Sequence, residues 1–310
     1  MVSVEVSIDT RHEDIIHDAQ MDFYGRFLAS CSSDSSVKIF EVFNDNHNLV
    51  ADLKEHQGPV WQVSWSHPQF GNLLASCGYD KKVIIYGPSS GVWQKLKEYC
   101  NHDSSVNSVC WSPPEYGPML ACGSSDGSIS IITILGDGNQ DFKKICDAHN
   151  IGINAVCWAP ITFSEDAEGE KVYKRLVSGG CDGEVKIWKE ASGRWIEETV
   201  LRGHSDWVRD VAWCPMTSSN QQVIASCDQT GHVNIWTQCA EYSNGQWQQT
   251  SLPVFPQVVW HLSWSVTGDI LAVSSGENNI SLWKQSLEGQ WTCISAVNQG
   301  EAYIARLTKL

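Results

Sequence analysis

The residue types of a Ser-His-Asp hydrolase recur along this chain of 310 residues at fixed intervals. A His stands nine residues before a Trp in four places: His56/Trp65, His102/Trp111, His149/Trp158 and His204/Trp213. An Asp stands six residues before the end of a short apolar run in four: Asp34/Phe40, Asp80/Tyr86, Asp126/Ile132 and Asp182/Trp188. A nucleophilic triad needs one copy at one site, so recurrence points to structural hydrogen bonds between buried polar groups instead. Gly123-Ser124-Ser125-Asp126-Gly127 matches the G-x-S-x-G string. That string works as a nucleophile elbow only at a strand-to-helix turn, and here it falls where other units carry a hairpin. His12 and His17, in His12-Glu13-Asp14-Ile15-Ile16-His17, are one residue too far apart for the zinc motif H-E-x-x-H, and the segment reads as strand. No Gly-rich phosphate loop is present, and the 12 Cys contain no C-x-x-C pair. The expectation is therefore no catalytic residue, no metal and no cofactor.

These residues sit on a repeated strand line. It reads Val37 to Phe40, Val83 to Tyr86, Ile129 to Ile132, Val185 to Trp188, Val233 to Trp236 and Ile280 to Trp283, with spacings of 46, 46, 56, 48 and 47 between the last residues. A period of this size marks a repeat architecture. In the second unit, strands Val60 to Trp65, Leu73 to Cys77, Val83 to Tyr86 and Val92 to Leu96 are separated by turn residues, which is one antiparallel meander. The inner strands are rich in Val, Ile, Ala and Cys, a composition buried on both faces. Six such sheets packed radially bury each other, so the fold class is all-β, a six-bladed β-propeller. The His and Asp pattern resembles the WD repeat, although the dipeptide itself is degraded (Trp188-Lys189, Trp236-Thr237, Trp283-Lys284), which makes it a six-bladed WD-repeat β-propeller. The blades are expected at about 11–50, 51–100, 101–147, 148–202, 203–254 and 255–298, with an N-terminal strand over 2–8 and a tail over 301–310. The His and Asp of each unit suit a bond between the loop before the first strand and the second hairpin of the same blade.

Departures from the pattern are informative. In the fifth unit Thr230 takes the Asp slot and Asp228 comes two positions early. In the sixth Glu277 replaces Asp and Phe255 replaces His. In the first, His12 fits the His slot if the next loop is two residues shorter, and Met21 then replaces Trp. The fourth unit is longer by Thr162 to Lys174, whose acidic run Ser164 to Glu170 reads as a solvated loop. Trp207 and Trp260 each fall just before a first strand, where a loop meets the propeller rim and they either pack into the core or loop or meet a partner. The last unit supplies its own fourth strand over Gln290 to Ser295, leaving the alternating segment Val2 to Ile8 with no vacancy to fill. An open ring follows, with unpaired edges that a partner covers by adding strands.

The net charge is −15, which repels phosphate backbones and excludes direct nucleic-acid binding as an expectation. The opening residues Met1 to Glu5 lack the charged-then-apolar pattern of a signal peptide, and no apolar run reaches membrane-spanning length. Repeat-locked cysteines such as Cys31, Cys77 and Cys227 read as small core residues in a reducing compartment.

Some strings are more specific than a generic repeat. His102 to Trp111, Ser205 to Trp213, Val258 to Trp264 and His12 to Met21 resemble the Sec-thirteen family, the small WD-repeat subunit of the COPII outer coat, over residues 1 to about 300. The resemblance implies an open six-bladed propeller into which a helical-solenoid partner inserts a seventh blade. The implied partners are a Sec-thirty-one-type coat subunit, a scaffold nucleoporin of the nuclear-pore Y complex, and GATOR subunits. The implied location is the cytoplasmic face of the ER and COPII vesicles, the nuclear envelope at the pore, and the lysosomal membrane, in each case peripheral and reached through the assembly. On this reading the residues flanking the gap are Val4, Val6 and Ile8, then Ile15 and Ile16 on the first blade and Val258, Val259 and Leu262 on the last. A substrate-receptor propeller would carry a W-D-x-R string, whereas here Trp188-Lys189-Glu190 and Trp236-Thr237-Gln238 stand. The sister Seh-type nucleoporin is the nearer alternative.

Overall fold

The computed structural model describes residues 8–43, 46–134, 140–161, 163–166, 169–215, 221–239, 246–276 and 279–298. The strands form six four-stranded antiparallel sheets and one two-stranded hairpin, the content of a six-bladed β-propeller. The chain divides into two compact units at Ala148/His149. The first holds three blades: β1 (Ile16–Met21), β2 (Phe27–Ser32), β3 (Val37–Phe43) and β4 (Asn46–Leu53); β5 (Val60–Trp65), β6 (Leu74–Gly78), β7 (Val83–Ser89) and β8 (Val92–Tyr99); β9 (Val106–Trp111), β10 (Met119–Ser124), β11 (Ile129–Ile134) and β12 (Gln140–Ile145). The second holds β13 (Ile153–Trp158), a hairpin β14 (Phe163–Asp166) and β15 (Gly169–Val172), then β16 (Arg175–Gly180), β17 (Glu184–Ala191) and β18 (Arg194–Arg202). It continues with β19 (Val208–Trp213), β20 (Gln221–Asp228), β21 (Val233–Cys239) and β22 (Gln248–Ser251), and ends with β23 (Val259–Trp264), β24 (Ile270–Ser275), β25 (Asn279–Gln285) and β26 (Trp291–Asn298).

Burial between blades follows from the strand pattern. In the first unit Ala29, Cys31, Val37 and Ile39 of blade 1 pack against Val60, Val63, Leu74, Ile84 and Tyr86 of blade 2. Only small residues on one sheet let bulky residues of the next approach, which is why Ala and Cys recur on the second strand. The Trp that ends the first strand ties neighbouring blades. Its indole N–H donates to the preceding first strand, from Trp65 to Gln20 O (2.9 Å), Trp111 to Ser64 O (3.1 Å) and Trp264 to Ala212 O (3.1 Å). The Trp of the fourth strand meets it edge-on, as in Trp65/Trp93 at 5.6 Å and Trp158/Trp195 at 5.7 Å between centroids.

Two details differ from the sequence expectation and a third agrees with it. The strand β7 runs on through Gly87 and Pro88 to Ser89, so the turn is the pair Ser90-Gly91, both with positive φ (52° and 82°). Such a primed turn matches the twist of its flanking strands, and Pro is tolerated where β7 is ending. The acidic insertion of blade 4 is a hairpin rather than an irregular loop, with Glu165 opposite Glu170; ladder pairing needs only backbone donors and acceptors, which an acidic run has in full. Blade 6 does carry its own fourth strand, β26, so the Val2–Ile8 segment is not needed to complete it.

Candidate functional surfaces

The repeated His and Asp residues meet within each blade. His56 Nδ1 lies 3.0 Å from Asp80, His102 Nδ1 3.0 Å from Asp126 and His149 Nδ1 2.9 Å from Asp182. His12 lies 2.9 Å from Asp34, and the loop between β1 and β2 is indeed two residues shorter, since Met21 pairs with Leu28 where Trp65 pairs with Leu74. In blade 5 the partner of His204 is the early residue Asp228, at 2.8 Å. The other ring nitrogen faces a Ser hydroxyl: Ser30, Ser76, Ser130, Ser178 and Ser226 at 2.6–2.9 Å. In blades 4 and 5 the chain extends to the third-strand Trp, with Trp188 and Trp236 donating to Ser178 and Ser226 at 2.9 and 2.8 Å.

One tautomer satisfies every group: indole N–H to Ser oxygen, Ser O–H to neutral Nε2, and Nδ1–H to carboxylate. Burial opposes the Asp182 charge, but the bonds from His149, Asn150 N–H and Glu184 N–H prevail and bring its pKa to about 2. Asp34, Asp126 and Asp228 are likewise held well below the carboxylate range by such bonds, against the effect of burial. Burial pushes the pKa of His12 and His102 down, which favours the neutral ring the relay requires. The ring side chains are at most 2% exposed in all five relays, so no substrate reaches them. Among the described residues no group of His, Cys, Asp or Glu has the arrangement of a metal site.

The expected gap residues fall into three classes. Val4 and Val6 lie outside the described residues, as does Glu277 of the sixth-unit Asp slot. Ile8, Ile16 and Val258 are half-buried, and Ile15 stands 66% exposed just before β1. Val259 and Leu262 are buried within the cluster formed with Ala225, Cys227 and Ile235 of blade 5. They are therefore not available on a free face, which corrects the expectation for these two. The physical reason is a bulge at Trp260, beyond which alternation returns Leu262 and Trp264 to the side of Val259.

The first and last blades each have one face less covered than its counterparts. Ile16, Ala19, Met21 and Leu28 of blade 1 are half-buried, whereas the same slots in blade 2 (Val60, Val63, Trp65, Leu74) and blade 4 (Ile153, Val156, Trp158, Leu176) are buried. Ser274 and Ile280 of blade 6 are half-buried, against full burial of Cys227 and Val233 in blade 5. The buried Lys38 ammonium donates to Thr10 O and Arg11 O (3.2 and 2.5 Å), which fastens the segment leading into blade 1.

Sequence reasoning left one contact unseen. Arg209 lies between Trp207 and Trp260, 5.1 and 5.0 Å from their ring centroids. Arg209 and Trp260 are the bulge residues of β19 and β23, and bulge positions cannot be read from alternation alone.

The repeat count is matched independently. The family "WD domain, G-beta repeat" fits residues 5–41, 47–87, 93–132, 140–189, 195–237 and 249–284. The chain is 61% identical to "Protein SEC13 homolog" of Homo sapiens over 312 aligned positions, covering 98% of this chain and 97% of that protein. It is 52% identical to the protein of the same description from Drosophila melanogaster (95% and 84% covered). With "Protein transport protein SEC13" of Yarrowia lipolytica the identity is 45% (95% and 100% covered). Similarity of this extent, over all six blades and at family spacing, places the chain in the Sec-thirteen family of WD-repeat propeller proteins.

Proposed function

We propose that this chain is a non-enzymatic scaffold of protein transport whose first and last blades receive a seventh blade from a helical-solenoid partner. The observation that carries the reading is the half-buried face of blade 1, where four apolar or small slots that other blades bury remain partly open. A sheet of foreign strands would bury that face and pair the free edges, with main-chain hydrogen bonds for affinity and side-chain pockets for register. Strand arithmetic agrees. The five later matches each begin in a fourth strand and end in a third, whereas the first match opens at residue 5, before β1, and the last stops at 284, before β26. By sequence the chain thus carries one alternating segment, Val2 to Ile8, beyond what six blades use, and on this reading it serves the partner's sheet.

The relatives named as protein transport proteins support the coat reading. The partner is a Sec-thirty-one-type subunit in the COPII outer cage, and in the nuclear-pore Y complex and GATOR the equivalent solenoid takes its place. The propeller's work there is mechanical: it stiffens a rod by completing a sheet, and the rods hold membrane curvature. Co-purification of a solenoid segment bearing the inserted strands tests the proposal. Ile16→Asp/Met21→Asp in a folded protein is expected to reduce recovery of that segment at least tenfold, and undiminished recovery would overturn the blade-1 assignment.

A further inference from the structure

The bulge residue of each first strand turns out of the pleat, and successive blades bring these residues together. In the first unit His17 and Trp61 meet edge-on at 4.6 Å, and both are tied internally: His17 Nε2 lies 2.6 Å from Ser33 Oγ, and Trp61 Nε1 donates to Ser105 Oγ at 2.8 Å. In the second unit the corresponding pair is Arg209 and Trp260, joined by Trp207 from the loop before β19. The guanidinium lies over both indole rings, and its Nε donates to Gln229 Oε1 at 2.5 Å. Three walls thus fix the plane and direction of the group before anything binds, which removes most of the ordering cost of a long side chain.

The two indoles are 45% and 52% exposed, far more than the blade Trp residues. Aromatic residues around an arginine, half-open to solvent, have the composition of an interface hot spot. Among the described residues no carboxylate lies within ion-pair distance of Arg209. Of the two nearest in sequence, Asp206 accepts from Trp207 N–H at 2.7 Å and acts on Arg209 only through its field, and Asp210 accepts from Val211 N–H and Leu262 N–H and lies 2.6 Å from His261. Partial burial works against the guanidinium charge and outweighs the favourable field of nearby groups, Asp206 among them.

We propose that Trp207, Arg209 and Trp260 form a docking site for a protein segment that presents one Asp or Glu carboxylate between apolar side chains. The carboxylate meets the Nη edge of Arg209 in a forked, charge-assisted pair, and the flanking apolar groups cover the indoles. This site is separate from the blade-1 face argued above, and its variants leave that face unaltered. A chain of net charge −15 has little use for acidic partners except where a cation is held ready, and here one is.

The test uses the full chain with 15N-labelled tryptophan indoles, the signals of Trp207 and Trp260 being assigned from Trp207→Phe and Trp260→Phe. The probes are 12-residue peptides with a central Glu flanked by Leu, Phe or Trp, each with a Gln-centred match. Glu-centred members are expected to shift both signals and to bind roughly tenfold tighter than their matches, a preference that Arg209→Gln removes and Arg209→Lys reduces. Equal shifts from Glu and Gln peptides, or no shift from any Glu peptide, would overturn the proposal. So would the same shifts produced by inorganic phosphate, or by self-association of the chain that Arg209→Gln abolishes. Thermal unfolding confirms that the Arg209 variants are folded; if Arg209→Gln is not, the exposed Trp207→Ala serves instead and is expected to weaken Glu-peptide binding at least fivefold.

Discussion

Blades 4 and 5 build the same His-carboxylate bond by two routes. In blade 4 the carboxylate of Asp182 comes from the turn between the second and third strands, and the strand position two residues earlier is Gly180. A Cβ there would sit 2.2 Å from His149 Nδ1 and 2.4 Å from Asp182 Oδ1, so the glycine leaves room for the pair. In blade 5 that same strand position is Asp228, and its own carboxylate is the partner of His204. The turn residue Thr230 is then free of the task, and its hydroxyl and N–H both donate to Asp228. Blade 2 follows blade 4, with Gly78 before Asp80. The lesson is that the fold specifies a place for negative charge rather than a sequence position, because either backbone site delivers it to the same nitrogen. Blade 6 shows the third outcome: Phe255 stands in the His slot and packs on Trp283 at 6.0 Å, while the Trp283 N–H donates to Ser281.

The comparison predicts most strongly at low pH. His12 and His102 have folded pKa values below the ordinary 6.5, so the unfolded chain binds the proton first and stability falls as pH drops through that value. The depressed carboxylates add a second window: their contribution is present above about pH 4, the unfolded value, and is lost as pH falls toward their folded values, which for Asp182 is about 2. Urea unfolding across pH 8 to 3 is expected to show a shallow decline below 6.5 and a steep one below 4; a flat profile would contradict the neutral-His relay.

Next in size is the removal of the carboxylates. Asp228→Ala strands His204 and the N–H groups of Thr230 and His232 in a fully buried place, at a cost of about 3–5 kcal/mol. Asp182→Ala costs about 1–3 kcal/mol, since its carboxylate touches solvent and water replaces part of it. Equal losses in urea titrations would erase the distinction between the routes. Smaller again is Gly180→Ala, which forces a methyl into the His149-Asp182 pair and is expected to destabilise by about 1–3 kcal/mol. The same substitution in a chain already carrying Asp182→Thr should cost clearly less, because one of the two clashing atoms is gone.

Much of this was legible in the sequence. The period, the strand lines and the His slot stand out because each depends on residues at fixed separation along one chain segment. His12 was placed by its distance from Met21, and the pairing of Met21 with Leu28 agrees. The fifth carboxylate was seen to be two positions early, but the sequence alone does not say that the displaced group reaches the same nitrogen; that takes the direction of a Cβ at the end of β20. Val259 and Leu262 were misassigned for a related reason. Strand residues announce that they are buried but not which neighbour buries them; the assignment rested on their segment flanking the expected gap, and the bulge at Trp260 puts both on the side that blade 5 covers. The Trp207-Arg209-Trp260 stack was half visible, its aromatic members conspicuous and its cation silent.

The bulge residue in every first strand has a further consequence. It lies at His17, Trp61, Asn107, Asn154, Arg209 and Trp260, the same point of each blade. Look-alike hairpins invite slippage by two residues, an error that in-out parity tolerates. With one irregular step fixed in each ladder, a slipped strand sets its kink against a straight neighbour, so the defect acts as a key that admits a single alignment during folding.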